Sequence, residues 1–158
     1  MDFNLTSEQQ LIKQTASEFS RDELKDGAVY RDKNKIWPKE QIIKMADLGF
    51  MGMMVEEKWG GSGLDTISYC IAMEEISKVD ASAGVIMSVN NSLVCYLLNK
   101  YGNDFIKKNY LKSLAKGAKL GAFSLSEPQS GSDASNMKTY AKLDGENYIL
   151  NGTKNWVT

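Results

Sequence analysis

Between positions 126 and 133 the chain reads Ser126-Glu127-Pro128-Gln129-Ser130-Gly131-Ser132-Asp133: three hydroxyls, two carboxylates, a glycine and a proline in eight residues. A glycine lets the backbone approach a ligand closely, and a short irregular loop of this kind can aim several N–H groups at one anion. The same composition also makes an ordinary solvated turn, with Asp133 capping the next element. Glu127 and Asp133 are the obvious acids. A carboxylate beside a loop of N–H donors is more often structural, so neither is assigned as a catalytic group.

Histidine is absent from the sequence. That removes Ser/His/Asp and Cys/His dyads, HExxH zinc sites and the commonest proton shuttle together. Any acid or base must be a carboxylate, Lys, Tyr or Cys. The net charge of -1, from 19 basic and 20 acidic residues, leaves no block that could neutralise a phosphate backbone or an anionic membrane surface, so neither nucleic acid nor membrane is an expected partner. Cys70 and Cys95 match neither a CxxC pair nor a dense disulfide framework, and both are read as reduced core residues. The start Met1-Asp2-Phe3-Asn4 lacks the features of a signal peptide. No apolar stretch is read as approaching the roughly 18 to 20 residues that span a bilayer. The expectation is a soluble, cytoplasmic protein.

The elements that must position the loop follow from periodicity. Thr6 with Gln9 and Ser7 with Gln10 form two overlapping capping boxes ahead of Leu11, Ile12, Thr15 and Phe19, which predicts a helix over about 7–25. Pro38 suits the first position of a second helix over about 38–48, and Gly49 its left-handed stop. Lys58-Trp59-Gly60-Gly61-Ser62-Gly63 reads as a loop, with phosphate cradling as an alternative. Ile67, Cys70, Ile71, Met73 and Ile76 restore the helical period from Asp65. Asp80 or Ser82 then caps a long apolar segment through Leu98. A shorter helix over about 103–114 carries Phe105, Ile106, Tyr110 and Leu111 on one face, and Lys116-Gly117 ends it.

At Leu120 the period falls toward two. Stretches 120–126, 137–143, 148–150 and 154–158 read as strands, with Asp144-Gly145 and Asn151-Gly152 marking tight turns. The fold class is therefore mainly α with a β segment (α+β): an amino-terminal helical domain, 1–118, and a truncated β domain, 119–158. A strand ending at Thr158 would leave an unpaired edge, which suggests a piece of a longer protein.

Three features, in order, carry a resemblance. Helices come first, then Phe123-Ser124-Leu125-Ser126-Glu127-Pro128 with Gly131-Ser132-Asp133, and finally Asn151-Gly152-Thr153-Lys154 leading into Trp156-Val157-Thr158. This arrangement resembles the acyl-CoA dehydrogenase family from Leu5 to Thr158. Met73-Glu74-Glu75-Ile76-Ser77 and the 82–93 stretch are most similar to its short-chain, butyryl-CoA branch. The departures are small: Ser124 stands where Ala, Gly or Cys is usual, and Gln129-Ser130 replaces Gly or Asn followed by Ala.

The resemblance implies a helical domain followed by the start of a middle β-barrel domain, and FAD as the cofactor. It implies that Leu125 and Ser126 contact the flavin ring, with Phe123 beside it, although an inward strand residue is an equal reading of Phe123. Gly131 and Ser132 would approach the pyrophosphate, and Ser132 also the acyl-CoA. Trp156 would lie over one face of the ring, with Val157 beside it and Thr158 near its reactive nitrogen. Val85, Val89 and Leu93, at i, i+4 and i+8, would line the acyl pocket, although periodicity alone makes them core.

The implied reaction is α,β-dehydrogenation of a short-chain acyl-CoA, with electron-transfer flavoprotein as acceptor and a homotetramer as the assembly. The implied base is a Glu beyond residue 158, so residues 1–158 alone are expected to be inactive and to hold FAD weakly. The alternatives are an acyl-CoA oxidase and a non-catalytic helical binding or assembly module.

Overall fold

Helix α1 (Ser7–Phe19) begins at the first of the two capping boxes. The Gln9 N–H donates to Thr6 Oγ1 at 3.2 Å and the Thr6 N–H to Gln9 Oε1 at 3.1 Å, so two orphan donors of the first turn are satisfied reciprocally. Gln10 instead reaches back to the Leu5 carbonyl. The helix does not stop near residue 25. A π-helical stretch, Ser20–Leu24, joins it to α2 (Lys25–Asn34), which ends at Lys35 in the left-handed conformation, φ 55°. No proline or glycine stop lies near 25; the only glycine there, Gly27, sits inside the helix.

The computed structural model describes residues 4–157, and the chain divides into two units, Met1–Gly121 and Ala122–Thr158. In the first unit, α3 (Lys39–Asp47) is capped at Pro38 and is followed by Gly49 at φ +78°. Asp65 caps α4 (Thr66–Ser77), and Asp80 caps α5 (Ala81–Ser88), each accepting from the N–H three residues on. A π-helical stretch, Val89–Cys95, leads into α6 (Tyr96–Tyr101). Then come α7 (Asp104–Ile106), a third π-helical stretch, Lys107–Leu111, and α8 (Lys112–Ala115). Gly117 follows at φ +67°.

The core of this unit is built from Phe19, Leu24, Met45, Met51, Ile76 and Met87 with their neighbours, and Phe19 meets Phe50 edge-on at 6.2 Å. Each such side chain contributes roughly 1.5 to 3 kcal/mol by leaving water. A second cluster, Val55, Cys95, Leu111, Leu114 and Ala115, closes the other end. Burial pushes the Cys95 thiol up to about 12, which keeps it protonated. Cys70 is free as expected but exposed rather than buried, because the inner face of α4 belongs to Tyr69, Ala72 and Ile76. Phe105 and Tyr110 are likewise exposed: a π-helical stretch changes the phase of the face that a regular period predicts.

The continuous helix Ala81–Tyr101 is 21 residues long with a window hydropathy of 1.4. It has the length and composition to cross a membrane, contrary to the expectation from sequence. Its polar content argues for a core role. Asn90 and Asn91 are buried at its centre, and the Asn90 amide donates to the Met51 carbonyl at 2.7 Å and the Leu114 carbonyl at 3.1 Å, while its oxygen accepts the Gly121 N–H. Asn91 donates to the carbonyls of Phe50 and Met87 and accepts the Met53 N–H. Two fully engaged amides thus pin the 50–53 loop and the end of α8 to one helix.

In the second unit, β1 (Tyr140–Asp144) and β2 (Asn147–Asn151) pair antiparallel, with Tyr140 opposite Asn151 and Asp144 opposite Asn147. Gly145, at φ +60°, opens the two-residue loop between them, where a left-handed first residue suits the twist of a hairpin. Stretches 120–126 and 154–157 are not strands, because neither finds a ladder partner among the described residues. The observed class is mainly helical with one small antiparallel sheet.

Candidate functional site

The loop after Ser126 is closed by its own backbone. The Glu127 N–H donates to the Ser130 carbonyl at 2.8 Å, and the Ser130 N–H returns to the Glu127 carbonyl at 3.0 Å. Pro128 and Gln129 form the tip, and Ser130 Oγ donates to the Asp133 carbonyl at 2.7 Å. Ser135 Oγ donates to Asp133 Oδ1 at 2.6 Å, so Asp133 is an anchor for its own turn.

Glu127 lies buried under this loop. Its Oε1 accepts the Thr139 N–H at 2.9 Å and Lys154 Nζ at 2.9 Å; its Oε2 accepts the Lys138 N–H at 2.7 Å and Gln129 Nε2 at 2.6 Å. Bonds from Thr139, from the Lys138 N–H and from the Lys154 ammonium hold its carboxyl far below the ordinary carboxylate range, against the desolvation that burial imposes. With four donors on two oxygens it stays ionised and has no lone pair for an incoming proton. In this geometry Glu127 is an anchor of the loop.

In the sequence Lys154 stands out only as part of a turn, whereas in the fold it has a definite task. Its ammonium reaches the Leu125 carbonyl at 2.8 Å, Glu127 Oε1 at 2.9 Å and Met137 Sδ at 3.3 Å. The next residue, Asn155, donates its N–H to the Ser126 carbonyl at 2.8 Å. Two segments 29 residues apart, 125–127 and 154–155, are laced together. A buried acid at the start of the loop and a lysine near the end of the chain are the sequence signal, though spacing alone does not pair them.

This lacing brings Leu125 and Ser126 to the segment that carries Trp156 and Val157. Trp156 is 91% exposed and sits at φ +57°, a left-handed conformation that is uncommon for a bulky residue. Val157 is half exposed and Phe123 half buried. Gly131 and Ser132 are exposed at the loop, and a side chain at Gly131 would meet nothing within 4 Å. Thr158 lies outside the described residues.

The first unit contains the other expected residues. Val89 is buried, while Val85 is 51% and Leu93 37% exposed, so the three do not form one core stripe: the π-helical stretch that begins at Val89 shifts Leu93 out of phase with Val89, whereas Val85 lies in the regular helix before it. Val85 lines a groove of about 500 Å³ with Ile36, Trp37, Pro38 and Ile86. The glycine-rich 58–63 loop is not a phosphate cradle. The N–H groups of Gly60, Gly61, Ser62 and Gly63 all donate to backbone carbonyls between Gly52 and Glu57, which leaves none for an anion.

Comparison with known proteins places this geometry. The chain is 44% identical over all 158 residues to the short-chain specific acyl-CoA dehydrogenase of Clostridium acetobutylicum, of which it covers 42%. Its structure superposes with a TM-score of 0.93 and 40% identity on butyryl-CoA dehydrogenase from Megasphaera elsdenii, over 99% of this chain and 42% of that one. A structure of the electron transferring flavoprotein of Acidaminococcus fermentans, solved in a study of flavin-based electron bifurcation, contains a chain that matches with a TM-score of 0.96 and 45% identity, over 99% of this chain and 41% of that one. The chain thus spans about two-fifths of the length of these relatives. Residues 6–118 match the family model of the acyl-CoA dehydrogenase N-terminal domain and residues 122–158 that of the middle domain, and the chain belongs to the acyl-CoA dehydrogenase family.

Proposed function

We propose that the whole protein is an FAD-dependent dehydrogenase of short-chain acyl-CoA thioesters, and that residues 1–158 supply the amino-terminal part of its cofactor and substrate site. The observation that carries the reading is the laced pair of segments. Leu125 and Ser126 are tied to the backbone that presents an indole almost wholly to solvent, in a chain 44% identical along its full length to a short-chain specific relative.

The side chains suit FAD. The exposed Trp156 indole and Val157 offer a flat apolar surface to a fused aromatic ring. Ser126 carries a hydroxyl for the ring's polar edge. Gly131, with open space where a side chain would stand, and Ser132 leave room for a phosphate. Bound FAD would supply the hydride acceptor for conversion of the acyl-CoA to a trans-2-enoyl-CoA. In this reading Leu125, Ser126 and Trp156 orient the ring, with Phe123, Val157 and Thr158 beside it. Gly131 and Ser132 hold the pyrophosphate, and Ser132 also meets the acyl-CoA. Val85, Val89 and Leu93 flank the acyl chain. Alignment of the reacting carbons is the chain's main contribution. The resemblance to the family implies that proton abstraction belongs to a Glu outside residues 1–158; Glu127, fully engaged, takes no part in that reading. Electron-transfer flavoprotein is the proposed acceptor, for a cytoplasmic homotetramer.

The test is turnover of the full-length protein on saturated acyl-CoAs of increasing length, with electron-transfer flavoprotein as acceptor in air. The expected result is the highest kcat/KM on butyryl-CoA, with reduction of the acceptor. Stoichiometric peroxide instead would make the protein an acyl-CoA oxidase, and a colourless, inactive protein would favour a binding module.

A further inference from the structure

Lys154 satisfies each of its three ammonium hydrogens within the second unit: one with the Leu125 carbonyl, one with Glu127, one with the Met137 sulfur. The pair is well shielded, Lys154 being 22% exposed and Glu127 2%, so these are charge-assisted bonds held in little water. They grip the carbonyl of the Leu125–Ser126 peptide. Beside them Asn155, one residue before Trp156, donates its N–H to the Ser126 carbonyl, and the φ of Trp156 is +57°.

We propose that Lys154 is a positioning residue for the flavin: it sets the separation of the Leu125–Ser126 backbone from the Trp156 indole, and it polarises the Leu125–Ser126 peptide. This rests on the reading under Proposed function. A positive charge on a peptide oxygen draws electron density from the amide and makes the N–H of Ser126 a stronger donor. The lysine touches neither ring nor substrate. Its influence passes through one carbonyl, one carboxylate and one backbone step. Glu127 is the counter-charge that keeps the ammonium in register, which gives a buried acid beside a cofactor loop a positioning role.

The experiment uses the full-length protein as wild type, Lys154→Met, Lys154→Gln and Lys154→Arg. Each is titrated with FAD, its visible spectrum is recorded at saturating FAD, and its thermal midpoint is measured without FAD. Methionine keeps the length of the stem but donates nothing, and glutamine is short and uncharged; both are expected to raise the FAD Kd by about tenfold or more and to shift the long-wavelength flavin band. Arginine keeps the charge and is expected to restore most of the affinity and the band position. An unshifted band with FAD affinity within about twofold of wild type in Lys154→Met overturns the proposal, even if the thermal midpoint falls, because a purely structural pin changes stability alone. Should Lys154→Met not accumulate folded, Lys154→Gln is judged by the same two outcomes. Wild-type protein that binds no FAD would sink the functional reading itself, so the two failures are told apart.

Discussion

At the scale of single residues, buried polar groups hold the key positions. The Glu127 carboxyl is held below its ordinary value of 4.5 by Thr139, Lys138 and Lys154. Because its folded pKa is depressed, it contributes stability that is present above the unfolded value and is lost as pH falls below about 4.5 toward the folded value. Unfolding midpoints of wild type and Glu127→Gln measured from pH 7 down to pH 3 should converge on acidification, and parallel curves would contradict the assignment. Asn91 makes three bonds in the core; Asn91→Ala leaves the Phe50 carbonyl and the Met53 N–H without their side-chain partner, and a loss of about 3 kcal/mol is expected in urea unfolding. Much at this scale is legible in sequence. The Thr6 capping box and the Asp80 cap follow from residue types and short spacings. The Lys154 contacts and the Asn90–Asn91 network are not legible, because they depend on partners as far as 17 to 41 residues away that only folding brings together.

At the scale of elements, helices that begin with a side-chain cap and end on a left-handed glycine are readable, because each signal acts within one turn. The π-helical stretches are not. The one at Val89–Cys95 takes Leu93 off the stripe that a regular period gives. The strands expected at 120–126 and 154–158 are not formed over 120–126 and 154–157, since alternation marks a backbone that can pair but not whether a neighbour is there. Two substitutions test the roles of these elements. Asp65→Ala removes the carboxylate that accepts the Ser68 N–H at 2.6 Å, and a loss of about 1 kcal/mol is expected from denaturant midpoints. Gly61→Ala drives a methyl into the carbonyls of Val55 and Gly52; backbone cannot step aside as a side chain can, so a loss of about 2 to 3 kcal/mol is expected by the same measurement.

At the scale of the whole molecule, the two units differ in how much of themselves they bury. The helical unit has a continuous core, whereas every residue of the hairpin strands Tyr140–Asp144 and Asn147–Asn151 is exposed. Hydrogen exchange on residues 1–158 should therefore find the amides around Asn90 and Asn91 protected to near the global unfolding limit, and those of the hairpin exchanging within the first time points. The family is readable from three short motifs in the right order, and the matches at 6–118 and 122–158 agree with it. The central claim is that the 123–157 region is one wall of a flavin site serving acyl-CoA oxidation. Its most direct test is the visible spectrum of the purified full-length protein, followed through an anaerobic titration with butyryl-CoA. The expected result is a yellow protein with one FAD per chain, bleached by stoichiometric substrate. A protein that carries no flavin, or whose flavin band is indifferent to every saturated acyl-CoA, would contradict it.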